Sequence, residues 1–79
     1  MTVIQYVMFT TEKELSELTG LSHDELWNNG FNLDDWDIGF RCDKKLNPNN
    51  WLLKQMDNYC CGFKMTEYQG FYYYMVYHA

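Results

Sequence analysis

Apolar residues along the chain follow two different periods, which separate strands from helices. Residues 3–9 are β-branched and aromatic and apolar on both alternating faces, a pattern typical of a strand inside a sheet rather than at its edge. From Trp36 onward, apolar residues alternate with polar or small ones. This alternation predicts a second strand with one buried face and one face exposed to solvent. The buried face carries Trp36, Ile38, Phe40 and Cys42.

Two capping-box spacings between these strands predict a pair of short helices. Thr11 followed by Glu14 places a hydroxyl and a carboxylate where they cap a first helix, and Gly20 suits its end. Ser22 followed by Glu25 repeats the spacing eleven residues later and predicts a second helix.

A third helix is predicted after the second strand. Asn47 and Pro48 match an N-cap followed by proline at the first helical position. A helix from there to about Asn58 places Leu52, Met56 and Tyr59 on one apolar stripe.

The last twenty residues predict a β-hairpin. Gln69 and Gly70 suit a two-residue loop, which pairs residue 67 with 72, 65 with 74 and 63 with 76. One face of the hairpin then resembles core and carries Cys61, Phe63, Met65, Tyr72, Tyr74 and Val76. The other face mixes aromatic and polar residues and is either covered by a helix or left open.

These elements predict one small α+β domain over residues 1–79. Their order is β-α-α-β-α-β-β, with a largely antiparallel sheet of about four strands and helices on one face.

The charges are distributed unevenly along the chain, and this distribution restricts the kinds of partner that the protein can bind. Residues 12–37 carry eight acids against Lys13, a balance of −7, whereas residues 38–79 carry three acids and five bases, a balance of +2; together these give the net charge of −5. A one-sided negative surface repels nucleic acid and anionic membranes and favours basic protein surfaces. We therefore expect no direct nucleic-acid or membrane binding.

The three cysteines, Cys42, Cys60 and Cys61, are odd in number and two are adjacent, which favours a reduced, cytoplasmic protein over a disulfide framework. The N-terminal residues lack the features of a signal peptide, and no apolar run approaches the ~20 residues of a spanning helix.

Residues 14–27 resemble the turn region of helix-turn-helix DNA readers, with glycine in the turn and apolar residues on both helices. The resemblance implies a recognition helix beginning after Ser22. That helix carries Asp24 and Glu25 and no arginine or lysine, whereas DNA binding needs cations. The preferred interpretation is two capped helices that pack leucines, with a helical pair for protein contact as the alternative.

Residues 70–76, Gly-Phe-Tyr-Tyr-Tyr-Met-Val, are similar to the aromatic strand of single-stranded RNA-binding platforms, in which rings stack on bases. The resemblance implies a single-stranded nucleic-acid binder, which is the main alternative function. Lys64 is the only cation expected on that face, and core packing accounts for most of the rings.

The potential ligands and nucleophiles do not form a known catalytic pattern. The spacing of Cys42, Cys60, Cys61, His23 and His78 is not that of a zinc site, and the acids after Asn32 lack the spacing of a calcium loop. We predict neither a cofactor nor a metal, and no enzymatic activity; a thiol- or metal-dependent hydrolase is a minor alternative.

The leading hypothesis is a non-catalytic acidic module that binds a basic surface of a protein partner, for which a nucleic-acid-binding enzyme is the candidate. In size, charge and aromatic content the chain resembles virus- and mobile-element-encoded inhibitors of host defence, such as anti-CRISPR and anti-restriction proteins, which implies nucleic-acid mimicry. An aromatic sheet face left open would instead support a homodimer.

The residues predicted to contact the partner are the acids Glu12, Glu17, Asp24, Glu25, Asp34, Asp35 and Asp37 and the aromatic anchors Trp27, Trp36, Tyr73 and Tyr77.

Overall fold

Four antiparallel strands and three helices make up the fold, in a computed structural model that describes residues 5–58 and 62–77. The elements are β1 (Tyr6–Phe9), α1 (Glu12–Thr19), α2 (His23–Asn28), β2 (Trp36–Cys42), α3 (Trp51–Asp57), β3 (Phe63–Tyr68) and β4 (Phe71–Tyr77). The strands form one sheet in the order β1-β2-β4-β3. The α+β class and element order predicted from the sequence are confirmed. The predictions for Tyr59, Cys60, Cys61 and His78 lie outside the described residues.

The hairpin of β3 and β4 has the predicted register. Residue 63 pairs with 76, 65 with 74 and 67 with 72. Gln69 and Gly70 form the loop with φ angles of +49° and +82°. A two-residue turn that follows the twist of its strands needs positive φ at both positions, which glycine adopts without strain.

β1 lies at the edge of the sheet, because it pairs with β2 and β2 pairs with β4 on its other side. The prediction of an internal strand for residues 3–9 is wrong for the part that the structure describes, residues 6–9. A strand can also be apolar on both faces when one face packs on the core and the other remains exposed. In β1, Phe9 is buried on one face, whereas Met8 on the other face is 60% exposed.

A change of register in β2 moves Trp36 off the face predicted for it. The pairing of β2 with β4 shifts between Trp36 and Ile38, which leaves Asp37 as an extra residue. Trp36 therefore packs on the same side as Phe9, whereas Phe40 and Cys42 pack on the opposite side. Simple alternation fails here because a bulge adds one residue to the count.

The helices cover both faces of the sheet, not one face as predicted. On the first face, α1 and α2 pack over a cluster that we call the α1–α2 core, with buried members Phe9, Leu15, Leu21, Leu26, Phe31, Tyr73 and Met75. On the second face, α3 packs over the α3 core, with buried members Phe40, Cys42, Leu46, Leu53, Met56, Tyr74 and Val76. The central strand β4 thus contributes to both cores, and its mixed aromatic face is covered.

The third helix begins later than predicted. Asn50 is its N-cap and accepts the Leu52 N–H at 2.9 Å, while Asn47 belongs to the preceding turn and accepts the Asn50 N–H at 2.8 Å. On α3, Leu53 and Met56 are buried, and Leu52, predicted to lie on the apolar stripe, is half-buried.

Candidate functional site

The acidic segment predicted to bind a partner folds as α1, α2 and the loop that leads to β2. The first helix begins where Thr11 Oγ1 accepts the Glu14 N–H at 3.1 Å, and it ends at Gly20, whose φ is +74°. Glu14 Oε1 accepts hydrogen bonds from the hydroxyl groups of Thr10 and Thr11 at 3.1 and 3.2 Å. The predicted cap and stop of α1 are confirmed.

Glu25 closes the capping box of α2. Its N–H donates to Ser22 Oγ at 3.3 Å, and its carboxylate accepts the Ser22 N–H at 3.1 Å. The hydrogen bond from the Ser22 backbone, followed by that from its hydroxyl, lowers the pKa of Glu25. Glu25 therefore has a structural role at the helix start, in addition to any role in binding.

A hydrogen-bonded chain joins α1 to α2 at their exposed surface. Glu12 Oε1 lies 2.9 Å from His23 Nδ1, and the Trp27 indole N–H donates to His23 Nε2 at 3.2 Å. Since the indole nitrogen can only donate, Nε2 accepts and Nδ1 carries the proton that it donates to Glu12. This chain fixes the orientation of Trp27, which is 40% exposed.

Four of the predicted acids remain exposed and have no basic partner in residues 5–58 and 62–77: Glu17, Asp24, Asp34 and Asp35. The loop that presents the last two has a defined backbone, because the Asp34 N–H donates to Asn32 Oδ1 at 3.0 Å and Asp35 adopts a left-handed φ of +58°. Aspartate tolerates this conformation better than most residues. Asp37 is exposed at the bulge of β2.

Basic residues lie on both sides of the sheet, on the side covered by α3 and on the acidic side covered by α1 and α2. Lys45 and Lys54 border a cleft of about 350 Å³ beside Leu46, Leu53 and Phe63, which belong to or pack on the α3 core. On the acidic side, the guanidinium of half-buried Arg41 is 4.3 Å from the centre of the Phe71 ring.

Lys13 and Lys64 are exposed on the acidic side, the latter beside a shallow depression that Trp27 also lines. The acids of α1, α2 and residues 32–37 therefore share their side of the sheet with three bases, Lys13, Arg41 and Lys64, which they outnumber.

Three of the four predicted aromatic anchors belong to the α1–α2 core or pack on it, which corrects that part of the prediction. Tyr73 is 1% exposed and lies between the rings of Phe9 and Phe31, at centroid distances of 6.2 and 5.2 Å. Trp36 is half-buried at 5.6 Å from Phe9. The hydroxyl of half-buried Tyr77 donates to the Asn32 carbonyl at 2.8 Å.

Burial raises the pKa of both Tyr73 and Tyr77. Their hydroxyls therefore stay protonated over a wider range of pH than those of exposed tyrosines. Trp27 is the most exposed of the four predicted anchors.

The thiol of Cys42 is placed poorly for nucleophilic chemistry. It is fully buried in the α3 core, and desolvation, aided by the charge of Asp43, raises its pKa from 9.0 to about 11. In the part of the chain that the structure describes, no three His, Cys, Asp or Glu side chains come together in a way that could hold a metal ion. None of the described helices has the length and apolar character needed to cross a bilayer.

The structure also reveals an apolar groove that the sequence did not indicate. Tyr6 and Met8 of β1 line it together with Leu52 and Met56 of α3, and it measures about 280 Å³. The groove escaped prediction because residues 3–9 were assigned to the interior of the sheet, where such side chains would be covered.

No protein-family model, curated protein or solved structure significantly matches this chain.

Proposed function

We propose that this protein is a non-catalytic interaction module whose acidic surface, formed by α1, α2 and residues 32–37, binds a basic surface of a protein partner. The partner of best-matching chemistry is a nucleic-acid-handling enzyme, whose phosphate-binding surface carries clustered lysine and arginine. By occupying that surface the module would inhibit the enzyme.

The observation that carries this proposal is the set of exposed acids without a basic partner among the described residues. Glu17, Asp24, Asp34 and Asp35 face solvent, and none forms an ion pair with lysine or arginine. Carboxylates that are not paired with a base attract a cationic surface from a distance and speed association. The fixed loop around Asp34 and Asp35 reduces the entropy lost when a partner binds.

Trp27 supplies an apolar contact within the same surface. It lies three residues after Asp24 on α2, so the two side chains share one side of the helix. Its indole is oriented by His23, which lowers the cost of ordering it in a complex. Tryptophan is among the residue types most often found at the energetic centre of interfaces.

Binding of single-stranded nucleic acid through the C-terminal hairpin is less well supported. Tyr73 is buried between Phe9 and Phe31, and so its ring offers no face for a base. The acids on α1, α2 and residues 32–37 would also repel the phosphates of a nucleic acid.

The resemblance to inhibitors of host defence, together with the reduced thiols expected from the cysteine count, supports the cytoplasm as the site of the proposed activity. There, cationic nucleic-acid enzymes are available as targets.

The proposal is tested by capturing partners on the tagged protein from an extract of its native cell and then measuring binding to the purified candidate. We expect that the wild type captures a nucleic-acid enzyme and that the double variant Asp34→Asn/Asp35→Asn does not. Trp27→Ala should weaken binding through the apolar contact, and added salt should weaken binding of the wild type.

The matched control is the double variant Asp43→Asn/Glu67→Gln, which removes the same charge from exposed positions outside α1, α2 and residues 32–37. Asparagine can still accept the Gln5 N–H that Asp43 Oδ1 accepts at 3.1 Å. If both double variants bind as the wild type does, or if both lose binding equally, the acidic surface is not the binding surface.

A further inference from the structure

The outer side of β1 is an open sheet edge with apolar side chains. In the part of the chain that the structure describes, β1 pairs with β2 alone. Tyr6, Val7 and Met8 are 45%, 36% and 60% exposed, and they make up three of the five large hydrophobic residues exposed among the described residues. Unpaired backbone groups along such an edge can pair with a strand of another chain.

The two edges of the sheet differ in the feature that normally prevents such pairing. β3, at the opposite edge, carries the exposed charges of Lys64 and Glu67. β1 carries no charged residue, no proline and no register shift in its pairing with β2. Charges, prolines and bulges are the usual means by which edge strands are kept apart, so only the β3 edge is protected.

The groove beside β1 extends the apolar surface beyond the strand. Tyr6 and Met8 pair with Cys42 and Phe40, whose side chains belong to the α3 core, and they therefore point to the α3 side of the sheet. There they line the groove of about 280 Å³ with Leu52 and Met56.

We propose that the edge of β1 pairs antiparallel with β1 of a second copy, giving a twofold symmetric dimer with a continuous eight-stranded sheet. With Val7 on the twofold axis, Tyr6 lies opposite Met8 of the second copy. The Tyr6 and Met8 side chains of the two copies then form one apolar cluster that joins the two grooves. Methionine sulfur packs favourably against aromatic rings, so this pairing suits both side chains.

Charge on the strand itself does not oppose a second copy as the occupant, and the self-complementary pairing of Tyr6 with Met8 favours it. Residues 5–10 carry no charge, so the antiparallel pairing brings no like charges directly opposite each other. The exposed acids Glu17, Asp24, Asp34 and Asp35 lie on other elements. A four-residue strand and a small groove make an interface below the standard size, so we expect weak association with a micromolar dissociation constant.

Sedimentation velocity of the full chain from micromolar to millimolar concentration tests this dimer. We expect a concentration-dependent shift from monomer to dimer. Val7→Lys and Val7→Asp should each weaken association by about tenfold or more, because each places a charge opposite itself at the axis. An equimolar mixture of these two variants should associate again, since lysine then faces aspartate.

Trp51→Lys is the matched control, because Trp51 is 69% exposed and lies outside the groove lining. Circular dichroism establishes that every variant is folded. A wild type that stays monomeric at millimolar concentration overturns the proposal, as does a dimer that Trp51→Lys weakens as much as Val7→Lys. Failure of the folded lysine and aspartate variants to associate with each other refutes the placement of Val7 on the axis.

Discussion

Replacing Gly39 with alanine tests how closely the α1–α2 core, through the ring of Phe9, packs on strand β2. Gly39 is buried in β2, where a Cβ atom would overlap the ring of Phe9 and lie 2.9 Å from the Tyr74 carbonyl oxygen. Phe9 is fully buried, and its ring is held between Trp36 and Tyr73 at centroid distances of 5.6 and 6.2 Å. The ring therefore has little room to move away from the new methyl group.

The cost follows from two opposing effects. Overpacking of a well-filled core costs about 1–3 kcal/mol, and this overlap belongs at the upper end because both neighbours are fixed. Alanine in a strand recovers about 0.5–1 kcal/mol relative to glycine, so Gly39→Ala should lower the free energy of unfolding by about 2 kcal/mol. In a domain of this size, that corresponds to a fall in Tm of roughly 8–16 °C.

A double-mutant cycle with Phe9→Leu identifies the ring as the cause. Urea unfolding, followed by circular dichroism, gives the free energy of each variant, provided that the m-values agree. Leucine removes the overlapping ring carbons, so Gly39→Ala should cost less in the Phe9→Leu background than in the wild type, while the contact with the Tyr74 carbonyl oxygen remains in both. If Gly39→Ala is neutral, or equally costly in both backgrounds, the ring does not lie over Gly39. The described packing of Phe9 on β2 would then be wrong.

Two further predictions concern the loop before α3 and the start of α2. Tyr74→Phe should lower the free energy of unfolding by about 1–2 kcal/mol in urea titrations, because it removes the hydroxyl that accepts the buried Leu46 N–H at 3.1 Å; an unchanged midpoint would show that this N–H finds another acceptor. Glu25, whose pKa is lowered in the folded state, stabilises the fold above the ordinary carboxyl pKa of 4.5, and this contribution is lost as the pH falls through the folded-state value. The stability difference between the wild type and Glu25→Gln should therefore shrink between neutral pH and about pH 3, and a difference that stays constant with pH would contradict the capping role.

Local patterns in the sequence were sufficient for much of the fold. The N-caps formed at Thr11 and Ser22 as predicted, because a cap depends on residues only three apart, and Ser22 and Glu25 form the complete capping box. The β3–β4 register followed from Gln69 and Gly70, since a two-residue loop leaves one way to pair the flanking strands. The start of α3 was displaced from Asn47 to Asn50 because several asparagines near Pro48 are each able to cap a helix.

The candidate site was predictable in its charge and much less so in its aromatic residues. The exposure of Asp24, Asp34 and Asp35 follows from the cost of burying a charge, which applies in nearly every fold. An aromatic ring is stable in the core or at an interface, so the sequence could not separate exposed Trp27 from buried Tyr73. The contacts of Tyr73 with Phe9 and Phe31 depend on residues more than forty positions away.

Patterns along the chain were sufficient to predict the class of the fold, the order of its elements and the uneven distribution of its charge, because these depend on short-range periodicity and on the hydration of ionised groups. The edge position of β1, the helices on both faces and the change of side of Trp36 at the bulge emerge only in the folded molecule. Strand order and layer assignment depend on contacts between distant residues, and an apolar strand can satisfy its burial in more than one position of a sheet.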